Sequence, residues 1–128
     1  MSEDEAVATL LGEVEGRPLF DPRPLRFRAG VRRRAWNRNC VALGLAAGFI
    51  EPLESTSIHL VMIAVMRLIQ SFPFRGGDTG ALAARFNAQS AQEWAHIRDF
   101  IILHYAQTER DESPFWQHCA SMPLPDSL

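Results

Sequence analysis

Residues 39–57 read NCVALGLAAGFIEPLESTS, and they predict more of the architecture than any other part of the chain. The start of this segment, residues 40–43, is a short apolar run of the kind that forms a buried strand. Small side chains and two glycines follow, and these allow a flat ligand or another backbone to approach closely. Ser55 or Thr56 is then placed to cap a helix over residues 57–70. A strand, a loop and a helix N-terminus are therefore expected in succession.

The expected helix start suits an anion, because its first turn exposes unpaired backbone N–H groups at the positive end of the helix dipole. Two carboxylates, Glu51 and Glu54, come just before it. Each feature also has an ordinary structural interpretation: Glu54 can simply favour the dipole, and Thr56 can act only as a cap. A strand, a glycine loop and a helix start are a common combination, so the pattern does not define a ligand by itself.

The part of the chain before this segment predicts a helix, a connector and two short strands. Residues 3–13 carry apolar side chains at the spacing of an amphipathic helix, with Ser2 or Asp4 as its cap. Prolines prevent regular helix over residues 18–24. Residues 25–29 alternate as a strand does, a turn is expected at Gly30, and residues 31–36 are expected to return as a second strand.

The part after the segment predicts three helices. Residues 57–70 are apolar on nearly every face, so this helix should be buried. After a loop over residues 71–80, a long amphipathic helix is expected over residues 81–108 and a short helix over residues 115–121. The apolar face of the long helix is formed by Leu82, Phe86, Trp94, Ile97, Phe100, Ile101 and either His104 or Tyr105. The predicted fold class is mostly α with a small β element.

These predicted elements cover one another poorly. Two or three short strands have little to pair with, and an isolated hairpin is only marginally stable in water. An apolar helix also needs neighbours on every side. Two interpretations follow: a small α+β domain with an unusual core, or a piece of a larger protein that supplies the missing strands and helices.

Composition and charge argue against several classes of function. The net charge of −2 gives no general attraction to nucleic acid or to an anionic membrane, and the arginines of residues 26–38 are interpreted as a solvated or cofactor-side strand face. No run reaches the roughly 18 apolar residues of a membrane span, and the acidic N-terminus differs from a signal peptide, so a cytoplasmic protein is expected. The cysteines and histidines lack the spacing of a disulfide framework or a metal site.

Residues 48–56, GFIEPLEST, resemble the G-F-x-E-P-L-E-S-T motif of the flavin-dependent tryptophan halogenases, which in that family lies beside the isoalloxazine ring. A second match comes downstream, where residues 98–105 read RDFIILHY and residues 110–116 read RDESPFW. The resemblance covers essentially the whole chain. It implies a carboxyl-side piece of the α/β FAD-binding (Rossmann-type) flavoprotein monooxygenase and halogenase fold.

Within that fold the resemblance implies one partial halogenase domain over residues 1–128. Residues 1–43 are expected to supply a helix and short strands, and residues 44–58 the loop that meets flavin and halide. Residues 59–128 are expected to form a helical region on the substrate side.

The resemblance also implies a reaction. Reduced FAD, oxygen and chloride or bromide together produce an oxidised halogen, which chlorinates or brominates an indole-like aromatic substrate, and a separate flavin reductase supplies the reduced flavin. By motif position Glu54 is the catalytic carboxylate and contacts the substrate, where it can stabilise positive charge on the ring or accept the released proton. The other matching positions are Thr56 and Ser57 at the halide, Leu45 and Ile58 at the flavin, and Tyr105, Phe115 and Trp116 around the substrate.

The chain departs from the family in several places. It contains no G-x-G-x-x-G, no W-x-W-x-I-P and no lysine, although the family uses a catalytic lysine. Ser57 stands where tryptophan halogenases commonly have glycine, and the asparagine expected shortly after Trp116 is missing, so free tryptophan is not the expected substrate. These departures predict a piece truncated at both ends and inactive alone. Two alternatives stay open: a non-catalytic helical interaction module built on residues 57–70, and complementation by a separate chain that carries the flavin domain.

Overall fold

The computed structural model describes residues 2–73, 76 and 78–128. Four helices and four two-residue strands make up the described part, and two single 3₁₀ turns lie between them. In chain order these are α1 (Glu3–Glu13), β1 (Gly30–Val31), β2 (Trp36–Asn37), β3 (Cys40–Val41), a 3₁₀ turn (Gly44–Ala46), β4 (Gly48–Phe49), a 3₁₀ turn (Leu53–Ser55), α2 (Thr56–Ser71), α3 (Thr79–Ala106) and α4 (Pro114–Ser121). The fold is mostly α with a small β element, as predicted.

The predicted helices are all present, because most of them carry local start signals. In α1 the Ser2 hydroxyl accepts from the backbone N–H of Glu5, and the Glu5 carboxylate accepts from the backbone N–H of Ser2, which is a complete capping box. Asp78 caps α3, and Ser113 caps α4. The loop predicted over residues 71–80 includes residues 74, 75 and 77, which lie outside the described residues.

The strand predictions before residue 39 were wrong. Residues 25–29 form no strand, and Gly30 is not a turn but the start of β1, which pairs antiparallel with β4. The alternating side chains of residues 25–29 have little to pack against: Leu25 is 78% exposed and Phe27 is 71% exposed. Of the return strand predicted over residues 31–36, only the two ends are in strands: Val31 belongs to β1 and Trp36 to β2, and β2 pairs with β3 rather than with residues 25–29.

A short hairpin replaces the expected buried strand at residues 40–43. Only Cys40 and Val41 are in β3, Cys40 is exposed, and Val41 is half-buried. The turn between β2 and β3 places Arg38 at a φ of 55°, which is uncommon for a residue with a side chain. The hairpin itself is held by its contact with α3.

The core is small and lies between this hairpin and the first half of α3. Ala35, Trp36 and Phe86 are buried together, and the rings of Trp36 and Phe86 meet edge to face at 5.7 Å. Asn87 on the next position of α3 bonds both backbone groups of Trp36 at 2.8 Å each. Half-buried side chains complete this core: Val41, Leu43, Leu68, Leu82 and Ala83.

Helix α2 is not buried on all sides, contrary to the prediction. Only Thr56 and Leu60 are buried, because α3 packs on one side of the helix and the two short 3₁₀ turns contact only its beginning. The uncovered side includes Ile58, Met62, Val65, Met66 and Ile69, which are 36% to 63% exposed. Residues Leu53–Ser71 are long and apolar enough to cross a membrane by length and composition, a property that core helices share.

Candidate functional site

The loop that leads into α2 has an unusual backbone. Glu54 has φ 53° and ψ 33°, and Ser55 has φ 59° and ψ 24°, so two successive non-glycine residues are left-handed. Each such conformation costs about 1–3 kcal/mol and persists only where the surrounding structure fixes it. The predicted capping of α2 by a Ser55 or Thr56 side chain was wrong. The left-handed backbone of Ser55 departs from the extended conformation that a capping residue adopts, and the Thr56 hydroxyl donates instead to the Glu51 carbonyl at 3.3 Å.

Two backbone donors at the tip of α2 are already used by the chain. The Ser55 N–H donates to the Pro52 carbonyl at 3.1 Å, and the Thr56 N–H donates to the Leu53 carbonyl. Of the two residues predicted at the halide, Thr56 therefore has an occupied amide. Ser57 comes next in the first turn, where a helix leaves N–H groups without an intrahelical partner.

An apolar cavity of about 280 Å³ lies beside this first turn. It brings together the two positions predicted to contact flavin, Leu45 and Ile58, with one of the two predicted to hold halide, Ser57. Leu45 is 79% exposed and Ile58 is 63% exposed, so the cavity is open on that side. Glu54 and Thr56 are not among its lining residues. The cavity has the apolar walls that suit a flat ring system.

The glycines of the loop serve chain packing as well as access. A Cβ at position 48 would lie 2.7 Å from the Gly30 carbonyl oxygen and 3.0 Å from the Trp94 ring, so Gly48 is required by β1 and by Trp94. Gly44 has φ 58°, a conformation that favours glycine, and a Cβ at this position would lie 3.5 Å from Val61, which also lines the cavity. Small residues in this loop were expected to allow a close approach. At Gly48 the group that approaches is the backbone of Gly30.

The three residues predicted around the substrate form one aromatic cluster, Tyr105, Phe115 and Trp116. The rings of Tyr105 and Trp116 are nearly parallel at 5.9 Å, and Phe115 stands edge-on to Trp116 at 5.0 Å. The guanidinium of Arg110 lies 4.1 Å from the Trp116 ring centroid, a cation–π contact. Phe115 is 57% exposed, so the cluster presents aromatic surface rather than a closed core. Such a surface suits an aromatic ligand.

Glu51 is the acidic residue that contacts this cluster. The Tyr105 hydroxyl donates to the Glu51 carboxylate at 2.5 Å, and this hydrogen bond, with burial as a smaller cause, raises the pKa of Tyr105. Glu54 is exposed and makes no hydrogen bond or ion pair to another part of the described chain. From the sequence, Glu51 is expected beside the helix start but without a functional role. The signal available was its pairing with Glu54 in the E-P-L-E string.

Other charged groups in the described residues tie elements together. Glu93 of α3 lies 3.4 Å from His59 and 3.5 Å from Arg67, both on α2. In α3, buried Asp99 accepts from Arg98 at 2.6 Å, and Arg98 also donates to Ser127 near the end of the chain. Within the described ranges no group of three or more His, Cys, Asp or Glu is placed to hold a metal ion.

The family model described as tryptophan halogenase matches residues 1–128. The chain belongs to the tryptophan halogenase family. Among solved structures, the flavin-dependent halogenase Xcc4156 from Xanthomonas campestris is 50% identical, with a TM-score of 0.84 over 99% of this chain and 25% of its own. The flavin-dependent halogenase BrvH from Brevundimonas sp. BAL3 is 46% identical, with a TM-score of 0.86 over 99% of this chain and 26% of its own.

Curated halogenases give the same assignment. Tryptophan 7-halogenase RebH from Lentzea aerocolonigenes is 38% identical over 99% of this chain and 24% of its own length. Tryptophan 7-halogenase KtzQ from Kutzneria sp. (strain 744) is 43% identical over 81% of this chain and 19% of its own length. The chain therefore spans about a quarter or less of the halogenases that it matches.

Proposed function

We propose that this chain is the part of an FAD-dependent halogenase that meets flavin, halide and an aromatic, indole-like substrate, which the enzyme chlorinates or brominates. The observation that carries the proposal is the cavity at the tip of α2, where Leu45, Ser57 and Ile58 lie together. By the resemblance to the family, Leu45 and Ile58 stand at flavin positions and Ser57 stands at a halide position. By itself the chain is expected to be inactive.

The cavity fits one part of FAD and not the whole of it. Its apolar walls at Leu45 and Ile58 suit the edge of the isoalloxazine ring, whereas a pyrophosphate needs the glycine-rich dinucleotide site, whose G-x-G-x-x-G is absent from these residues. When bound and reduced, FAD supplies with oxygen the oxidising power that turns halide into an electrophilic halogen. Accordingly residues 44–58 are assigned to the flavin and halide loop of a Rossmann-type flavoprotein fold, residues 1–43 to supporting structure, and residues 59–128 to the substrate side.

The halide assignment depends on the first turn of α2. The N–H groups there lie at the positive end of the helix dipole, which favours a bound chloride or bromide. The Thr56 amide already donates to the Leu53 carbonyl. We therefore propose that the Ser57 amide is the main backbone donor to the halide and that Thr56 lies beside it at the same site.

The substrate assignment combines Glu54 with the aromatic cluster. Glu54 is proposed as the catalytic carboxylate, which stabilises positive charge on the ring under attack or accepts the proton that the ring releases. Tyr105, Phe115 and Trp116 offer the ring faces and edges against which an indole packs. The enzyme is proposed to act in the cytoplasm with a separate flavin reductase as partner, and without nucleic acid or membrane.

A chimaera tests this proposal. Residues 1–128 replace the matching quarter of Xcc4156, which supplies the remaining three quarters of a halogenase, including residues that this chain lacks. With a flavin reductase, FAD, bromide and indole, the chimaera is expected to form bromoindole, and the isolated chain is not. Glu54→Gln is expected to lower the rate by about 10²–10⁴-fold, the usual contribution of a positioned acid or base. Glu13→Gln, which changes an exposed carboxylate at the end of α1, is the matched control. Full activity of the Glu54→Gln chimaera would remove Glu54 from the mechanism.

The alternative of a non-catalytic interaction module built on α2 is less well supported. It accounts for the exposed apolar side of α2 but gives no reason for Leu45, Ser57 and Ile58 to meet at one cavity.

A further inference from the structure

Glu51 is bonded to two different helices. Its side-chain carboxylate accepts from the Tyr105 hydroxyl at the end of α3, at 2.5 Å. Its backbone carbonyl accepts from the Thr56 hydroxyl at the start of α2, at 3.3 Å. A phenol that donates to a carboxylate makes a charge-assisted bond, which is stronger than a bond between neutral groups. Glu51 therefore connects the start of α2 with the aromatic cluster.

The left-handed residues Glu54 and Ser55 lie within the loop that Glu51 closes. One end of the loop is Glu51, and the other is Thr56, whose hydroxyl bonds back to Glu51. Two local hydrogen bonds, to the carbonyls of Pro52 and Leu53, complete the turn. Such backbone conformations are retained only when neighbouring structure over-determines them. The contact with Tyr105 links this loop to α3.

We propose that Glu51 is a positioning residue: through its bond to Tyr105 it holds the loop in its left-handed form and so sets where the Glu54 carboxylate stands relative to the aromatic cluster. The proposal rests on the proposed function only in giving Glu54 its role at the substrate. A further consequence is that Tyr105 links the two halves of the site, since the same side chain stacks on Trp116 and bonds Glu51.

The chain offers a direct probe of this bond, because Tyr105 is its one tyrosine. Ultraviolet absorbance of the ionised phenol during an alkaline titration therefore reports Tyr105 alone. The backbone of the loop is read separately by NMR, since a positive φ at Glu54 and Ser55 gives each a strong intraresidue NOE between its amide and α protons. Neither measurement needs halogenation, so failure here is distinguishable from failure of the chimaera.

Four variants separate positioning from a general loss of structure. Glu51→Gln keeps an oxygen that accepts from Tyr105 but removes the charge, so the Tyr105 pKa should fall while the two strong NOEs remain. Glu51→Ala and Tyr105→Phe remove the bond from either side, and both should lose the strong NOEs. Glu13→Gln, at the exposed end of α1, should change neither readout. If Glu51→Ala does not fold, Tyr105→Phe carries the test, because it keeps the ring. Strong NOEs retained in Tyr105→Phe, or a parent chain in which Tyr105 titrates at its ordinary pKa, would overturn the proposal.

Discussion

Asn87 bonds both the backbone N–H and the backbone carbonyl of Trp36, each at 2.8 Å, so that one amide side chain of α3 replaces the strand that β2 lacks on that edge. Asn87→Ala leaves both backbone groups without this partner next to the small core, and unfolding should become easier by about 1–3 kcal/mol. Urea unfolding followed by tryptophan fluorescence measures the change. Asn39→Ala, in the exposed turn, should stay within about 0.5 kcal/mol of the parent. Equal effects at both positions would show that the Asn87 bridge contributes little.

Gly48 is predicted to tolerate no larger residue. In Gly48→Ala the new methyl group would lie 2.7 Å from the Gly30 carbonyl oxygen and 3.0 Å from Trp94, so β1 and β4 must separate or Trp94 must move. A loss of about 1–3 kcal/mol is expected, as for other overpacked sites. The matched control is Gly12→Ala in α1, where nothing lies within 4 Å and alanine should stabilise the helix by up to about 1 kcal/mol. Thermal unfolding of both variants distinguishes the two sites.

Asp99 is predicted to make the free energy of unfolding decrease at acid pH. The pKa of Asp99 is held below its ordinary value. The main cause is a hydrogen bond from Ser127, and the second is hydrogen bonding from Arg98. Its contribution is therefore full above the pKa of the unfolded carboxyl and is lost as the pH falls through the lower pKa of the folded chain. Ser127→Ala should raise the Asp99 pKa in a carboxyl NMR titration. Ser121→Ala, whose hydroxyl donates to the Gln117 carbonyl in α4, should leave it unchanged.

The uncovered side of α2 is predicted to drive self-association of the chain. Met62 and Met66 are 63% and 58% exposed on one helix face, and a contiguous apolar surface of this kind favours contact with another apolar surface. The double variant Met62→Gln, Met66→Gln should sediment as a smaller species and stay in solution at a higher concentration. Leu19→Gln with Phe20→Gln removes apolar groups of the connector that are even more exposed, at 90% and 87%, and should change association less. The idea fails if the two double variants behave alike.

The sequence could predict those elements that depend on residues close together along the chain. The helices follow from capping residues such as Ser2, Asp78 and Ser113 and from apolar spacing, both of which are local. The strands could not be predicted in the same way, because β1 pairs with β4 across a long separation and residues 25–29 pair with no strand of the described chain. Alternation describes a possible strand and does not supply its neighbour.

The candidate site likewise has features that the sequence predicts and features that depend on the folded structure. The motif positions Leu45, Ser57 and Ile58 meet at one cavity, as do Tyr105, Phe115 and Trp116 in one cluster. The role of Glu51 could not be predicted, because which of two carboxylates reaches Tyr105 depends on the left-handed turn at Glu54 and Ser55. Nothing in the residue types of that turn requires positive φ.

Helix α3 makes its contacts in sequence order, with Asn87 at the hairpin, Glu93 at α2, Arg98 at Ser127 and Tyr105 at Glu51. These contacts are phased by the helical repeat, since each added residue rotates everything after it by about 100°. Inserting one alanine after Glu93 would keep the Trp36 bridge and yet swing the tyrosine away from its carboxylate. The residue spacing along α3 therefore determines how the aromatic residues are placed relative to the hairpin.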